Sequence, residues 1–212
     1  MARPNRSDQT REAIIRAALR LIDAEGMDAL STRRLASDLG IRGPSLYHYF
    51  EGKDALLTGV RELLSGELWS GVERRLADVG PGDWEGVLRG YVEGALDGMA
   101  RHPNAVAFMA LTPISTRRTL TGYESVLERL TTAGWPLDFA WRVFLAAENL
   151  MLSAALEAGA PDFTPPAGDL AELPLLRTIV AEAAADPALD EGYQVGLDAF
   201  VEGVRVALAA RV

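Results

Sequence analysis

STRRLASDLGIRGPSLYHYFEGKDALL, residues 31–57, is the stretch on which the reading of this chain turns. Ser31 is a natural N-cap for a short helix over Thr32 to Leu39, because its hydroxyl can take one of the N–H groups that a helix start leaves unpaired. Leu35, Ala36 and Leu39 recur at helical spacing and face inward. Gly40 opens a tight turn, and Ile41 is expected to plug the junction. Gly43-Pro44 starts the next helix, with Pro44 at the first helical position, where its missing N–H costs nothing. That helix is expected to run to about Tyr49, with Leu46, Tyr47 and Phe50 packing it back against the helix before. Arg42, Gly43, Pro44, Ser45 and His48 stay outward, with Tyr49 close by. Two short helices, a glycine turn and a second helix with one apolar and one polar edge are what a helix-turn-helix requires. Small residues at the start of the second helix let it enter a major groove about 12 Å wide.

Outward from this segment the chain reads as helix almost everywhere, and the strict apolar-polar alternation of a strand is missing. Ile14, Ala18, Leu21 and Ile22 give an apolar face to a helix over Arg11 to Glu25, which Gly26 ends. A long helix is expected from Gly52-Lys53-Asp54 to Ala77, followed by the turn DVGPGD at 78–83 and a helix over Trp84 to Ala100. Further helices read at about 104–111, 116–133, 138–158, 169–185 and 188–210, and the clearest loop is AGAPDFTPPAG at 158–168. The fold class is all-α, with nine or ten helices. Residues 1–56 form a three-helix head and residues 57–212 a helical body.

The composition excludes several chemistries. There is no Cys, so disulfides, thiolate nucleophiles and Cys-based zinc sites are out. His48 and His102 are the only histidines, which disfavours a His-rich metal centre. No nucleophile–base pair or glycine-rich phosphate loop is visible, so neither catalytic residues nor a cofactor are expected. No apolar leader and no uninterrupted apolar stretch near 18 residues appears; a cytoplasmic protein with no membrane role is expected. The net charge of −9 speaks against nucleic acid until its distribution is considered. Residues 1–60 carry 9 basic and 8 acidic side chains, whereas residues 61–212 carry 12 basic and 22 acidic. An acidic body repels phosphate, so DNA contact is expected at the head alone.

Thr32, Arg34, Leu35, Ala36, Leu39, Gly40, Ile41, Leu46, Tyr47, Tyr49, Phe50, Lys53 and Leu56 follow the pattern of the DNA-binding domain of the TetR family of repressors, which residues 10–60 closely resemble. The departure is Tyr49, where many relatives carry His. The resemblance implies that Thr32 and Tyr47 contact phosphate and that Lys53, at a helix start with exposed N–H groups, anchors another. It implies that Arg33 reaches base edges, where Arg suits guanine O6/N7, with Arg42, Gly43, Pro44, Ser45 and His48 as the other candidates for base or sugar contact. Arg3 and Arg6 would form either a flexible arm that follows the backbone into the minor groove or a disordered tail. The alternatives are that Tyr47 and Tyr49 are half-buried aromatics of a small core, Arg33 and Arg34 a solvated face, and His48 a plain surface residue.

Residues 84–210 resemble, more loosely, the C-terminal domain of the tetracycline-repressor branch, through YESVLERLTTAGW (123–135), the helix after it and the closing GYQVGLDAFVEGVRVAL. Such a body implies a homodimer through the helices near 138–158 and 188–210, operator DNA as partner, and a small-molecule inducer. The implied pocket lies between the long fourth helix and the next four, lined by Leu64, Leu68, Trp69, Leu88, Tyr91, Met99 and Phe108. Met109, Thr112, Trp141, Glu148, Asn149 and Leu152 complete it, a mainly apolar lining suited to a hydrophobic or amphipathic molecule. In tetracycline-binding relatives a His at the end of the sixth helix holds drug-bound magnesium; Met109 stands there and His102 falls earlier, so no metal is expected. The function expected is a ligand-responsive repressor that binds a palindromic operator. An all-helical enzyme and a ligand-binding protein without DNA are the rival classes.

Overall fold

Ile14, Ala18, Leu21 and Ile22 are all buried, as helical periodicity requires of one face of the first helix, α1 (Arg6–Glu25). The computed structural model describes residues 6–110, 116–158, 160, 165–166, 168–183 and 192–211. Among these it holds ten α-helices and no strand. The chain divides into two compact units, Met1–Gly159 and Ala160–Val212.

In the first unit α1 ends at Gly26, whose φ of 81° lies where glycine is favoured, and a 3-10 turn over Met27–Ala29 leads to α2 (Thr32–Asp38). Ser31 caps α2 as expected, its Oγ accepting the Arg34 N–H at 3.2 Å. The helix closes with paired bonds from Gly40 N to Ser37 O (3.1 Å) and Ile41 N to Ala36 O (3.0 Å), with Gly40 at φ 64°. That is a Schellman stop, and it sets the turn of the helix-turn-helix. α3 spans only Gly43–Leu46, shorter than the expected run to Tyr49. Beyond Leu46 the chain tightens: the Tyr47 N–H reaches back to Pro44 O and the Tyr49 N–H to Leu46 O, three residues apart.

α4 (Lys53–Leu76) and α5 (Trp84–Met99) are the spine of the body. They approach until backbone meets backbone, with Gly71 of α4 facing Gly94 and Gly98 of α5: a Cβ on Gly94 would lie 2.6 Å from Val72 Cα, and one on Gly98 2.6 Å from Leu68 Cα. α6 (Pro103–Ala110) and α7 (Arg117–Thr132) follow, the latter capped by Thr116, whose Oγ1 accepts the Thr119 N–H at 3.1 Å. α8 (Leu137–Ala158) packs against α5, α6 and α7. Among the described residues α8 alone is long and apolar enough to cross a membrane, but Phe139, Val143, Phe144 and Met151 are buried in the packing.

The core of the head gathers α1, Leu30, Leu35, Ala36, Leu46, Phe50, Leu56, Val60 and Leu64, and it also takes in Ala105 and Phe108 of α6. α6 is therefore part of the head's packing as well as of the body.

The second unit holds α9 (Pro174–Ala183) and α10 (Gly192–Ala209). α9 begins five residues later than expected, because Pro174 is tolerated in a first helical turn and not in an interior. α10 buries Leu197, Val201 and Val204 and leaves Val195 and Val206 exposed.

Candidate nucleic-acid interface and ligand cavity

Thr32 and Arg33 of α2, Gly43 and Pro44 of α3, and Tyr47 border one shallow depression on the head, together with Ala36, Ser37 and Ile41. Two expectations change here. Tyr47 does not pack α3 against α2: it is 60% exposed, whereas Leu46 and Phe50 are buried in the head core. Ile41 is not a buried plug but is partly exposed on the rim of the depression, since the Schellman stop turns the chain outward there. Arg42, His48 and Lys53 are exposed outside the depression, and Ser45 and Tyr49 are half-buried, Tyr49 against the head core. Arg3 and the side chain of Arg6 lie outside the described residues.

The two adjacent arginines have different surroundings. Arg34 is held back by Glu25 at 2.6 Å and Asp38 at 3.2 Å. Arg33, Arg42 and Lys53 have no ion-pair partner among the described residues, so their charges are available to an anion. Lys53 is the first residue of a 24-residue helix whose N-cap, Gly52, has no side chain to satisfy the first N–H groups. A cation beside unpaired helix-start amides suits phosphate.

The body encloses a cavity of about 330 Å³. Leu68, Trp69, Tyr91, Met99, Met109, Glu148, Asn149 and Leu152 border it, all expected from sequence. Leu64 and Phe108 do not: both belong to the head core instead. Leu88 is fully buried in helix packing, with no surface to spare for a cavity, and Trp141 is 40% exposed. Thr112 lies outside the described residues. Sequence reasoning missed Arg61, Ser65, Ala110, Thr116, Thr119, Tyr123 and Met151. Arg61, Ser65 and Trp69 stand four residues apart on α4, so extending the Trp69 face back by two turns would have found the first two.

Polar groups in the cavity fall into two clusters. Thr119 Oγ1 lies 2.8 Å from Thr116 Oγ1 and 3.3 Å from Ser65 Oγ. Elsewhere on the wall the Tyr123 hydroxyl donates to Glu148 Oε1. Burial raises the Glu148 carboxyl above its usual range, partly offset by that hydrogen bond. Burial, reinforced by Glu148, also pushes the Tyr91 and Tyr123 phenols up, so both stay neutral donors. Trp69, Tyr91, Tyr123 and Phe144 form an aromatic cluster with ring centroids 4.7–5.9 Å apart.

The cavity and the head share elements. Met109 borders the cavity and also packs on the head core. At the start of α6, His102 sits between two carboxylates, with Nδ1 2.6 Å from Asp23 on α1 and Nε2 3.1 Å from Glu67 on α4. Asn104 adds a bond to the Asp23 carbonyl at 2.7 Å. α6 is thus tied to the head's first helix and to α4 at once.

Comparison with known proteins matches this geometry to a family. Residues 14–60 match the family described as "Bacterial regulatory proteins, tetR family", and residues 76–208 match "Tetracyclin repressor-like, C-terminal domain". The chain belongs to the TetR family. The class A tetracycline repressor of transposon 1721 from Escherichia coli is 28% identical over 195 residues, spanning 90% of this chain and 88% of that protein. The crystal structure of a possible TetR family regulator from Streptomyces coelicolor A3(2) superposes with a TM-score of 0.72 at 26% identity, over 93% of this chain and 99% of that one. ActR from Streptomyces coelicolor, solved in complex with actinorhodin, shares the fold at a TM-score of 0.69 and 23% identity, over 98% of each chain. This TetR-family protein is accordingly a ligand-responsive, DNA-binding transcriptional repressor.

Proposed function

We propose that the protein acts in the cytoplasm as a homodimer on a palindromic operator and that a hydrophobic or amphipathic inducer entering the body cavity releases it. Residues 1–56 serve as the reading head and residues 57–212 as the ligand-binding and dimerisation body. Thr32, Tyr47 and Lys53 hold phosphates; Arg33, Arg42, Ser45 and His48 read or approach the bases, while Gly43 and Pro44 let the backbone come close. Tyr49, half-buried, positions α3 from behind.

The observation that carries this reading is that α4 bears Lys53 at its first residue and Arg61, Ser65, Leu68 and Trp69 on the cavity wall. At about 1.5 Å of rise per residue, the phosphate anchor and the ligand stand roughly 12–24 Å apart on one rigid rod. A ligand that shifts α4 therefore changes the spacing of the two heads, which must match half-sites about 34–36 Å apart. A typical coupling of roughly 1–3 kcal/mol lowers operator affinity about 5–150-fold. The dimer is proposed to form through α8 and α10. On α8, Leu137, Trp141, Leu145 and Leu156 are exposed, and on α10, Val195 and Val206. A single head reads too few base pairs for specificity.

Lys53→Ala tests the anchor. It is expected to weaken binding to specific and random duplexes alike, by roughly tenfold, and to flatten the log–log salt dependence by about one per protomer. An unchanged slope in an anisotropy titration would remove Lys53 from the phosphate set.

A further inference from the structure

Arg61 stands out among the cavity residues. Its guanidinium lies over the Phe108 ring, 5.4 Å from the centroid, and its Nε is buried with no hydrogen-bond partner among the described residues. It makes no ion pair there either, although Glu148 borders the same cavity. Residues 111–115, LTPIS, contain no carboxylate. A guanidinium stays charged at every accessible pH, and a buried donor of a charged group without a partner is costly to keep. Glu148 stands in the other polar cluster of the wall, where the Tyr123 hydroxyl donates to it, and it does not reach the Arg61 guanidinium. The cavity is therefore positive at the Arg61 wall, neutral and hydroxylated along Ser65 and Thr119, and aromatic along Trp69 and Tyr91.

We infer that the inducer is a planar aromatic acid, its anionic group met by Arg61 and its rings held among Trp69, Tyr91 and Tyr123. This rests on the reading of the cavity as the inducer site. A carboxylate gives the Arg61 guanidinium the counter-charge it lacks among the described residues, and charge-assisted bonds of this kind are among the stronger ones available in a low-dielectric site. An ammonium ligand would instead place a second positive charge beside an uncompensated guanidinium. Because the Arg61 guanidinium also rests on Phe108, a member of the head core, the ligand's charge acts on a side chain that touches the head.

The test uses the full-length protein and two matched probes, anthraquinone-2-carboxylate and 2-(hydroxymethyl)anthraquinone, titrated by calorimetry. The carboxylate is expected to bind about tenfold more tightly than the alcohol. Arg61→Gln is expected to abolish that preference while leaving alcohol binding in place, and Arg61→Lys, which keeps the charge, to retain most of it. Equal binding of the two probes by the unmodified protein, or a preference that survives Arg61→Gln, overturns the inference and leaves the cavity as a ligand site. Binding of neither probe overturns both the inference and the cavity reading.

Discussion

Arg33→Ala is expected to weaken operator binding by the proposed homodimer on the order of 30- to 20,000-fold, the largest effect of any single change in the head. A bidentate Arg–guanine contact discriminates by about 1–3 kcal/mol, and a two-fold symmetric dimer loses it twice, so roughly 2–6 kcal/mol is at stake. The loss should fall on the specific site and spare binding to random duplex, because the contact proposed for Arg33 is to a base and not merely to a phosphate. Arg34→Ala is the internal control. Its guanidinium is engaged by Glu25 and Asp38, at side-chain exposures of 42–48%. Surface pairs of this kind are worth about 0–1 kcal/mol, so its effect should be on head stability and small. Competition gel shifts on specific and random DNA separate the two; equal effects at Arg33 and Arg34 would show that Arg33 does not read sequence.

Gly94→Ala should cost the protein about 3 kcal/mol or more of stability. The added Cβ would sit 2.6 Å from Val72 Cα and 2.8 Å from both Gly71 O and Val72 N. These are backbone atoms of α4, so no rotamer change relieves the clash; the two helices must part. Overpacking commonly costs about 1–3 kcal/mol even when side chains can yield. For a chain of this size the change corresponds to a fall in Tm of roughly 6–12 °C. Gly66→Ala, on α4 with nothing within 4 Å of the new Cβ, should instead raise Tm slightly, since alanine favours a helix interior. Calorimetry that finds Gly94→Ala as stable as the unmodified chain would contradict the close approach of α4 and α5. The same approach matters to the proposed function, because α4 carries both the cavity wall and the proposed anchor Lys53, and α5 is what it packs against.

The head was legible in the sequence because its constraints are local. Ser31, Gly40 and Pro44 each solve a backbone problem that the next few residues pose, and caps and stops are read directly from spacing. Tyr47 and Ile41 were misplaced because α3 is too short for periodicity to say which side a residue faces once the helix has tightened after Leu46. The cavity was legible by face and not by residue. Leu64 and Ser65 differ by one position, about 100° around α4, and that rotation sends Leu64 to the head core and Ser65 to the cavity wall. Arg61 escaped notice because an arginine on an amphipathic helix reads as solvated surface. Its buried Nε is a tertiary fact that depends on Phe108, 47 residues away in sequence. The α4–α5 contact leaves the pattern Gly90, Gly94, Gly98 along α5, but repeated glycines in a helix name no partner until the fold supplies one.

Phosphate charge and sequence contact together should hold this head on DNA, and one titration reads both. Fluorescence anisotropy of the full-length protein with a labelled duplex from the region flanking its own gene, titrated across salt, tests this most directly. Specific binding on the order of 10⁻⁸–10⁻¹¹ M near physiological salt is expected, tighter than to random duplex, with affinity falling linearly on a log–log plot as salt rises. Absence of salt-sensitive binding at micromolar protein would contradict it.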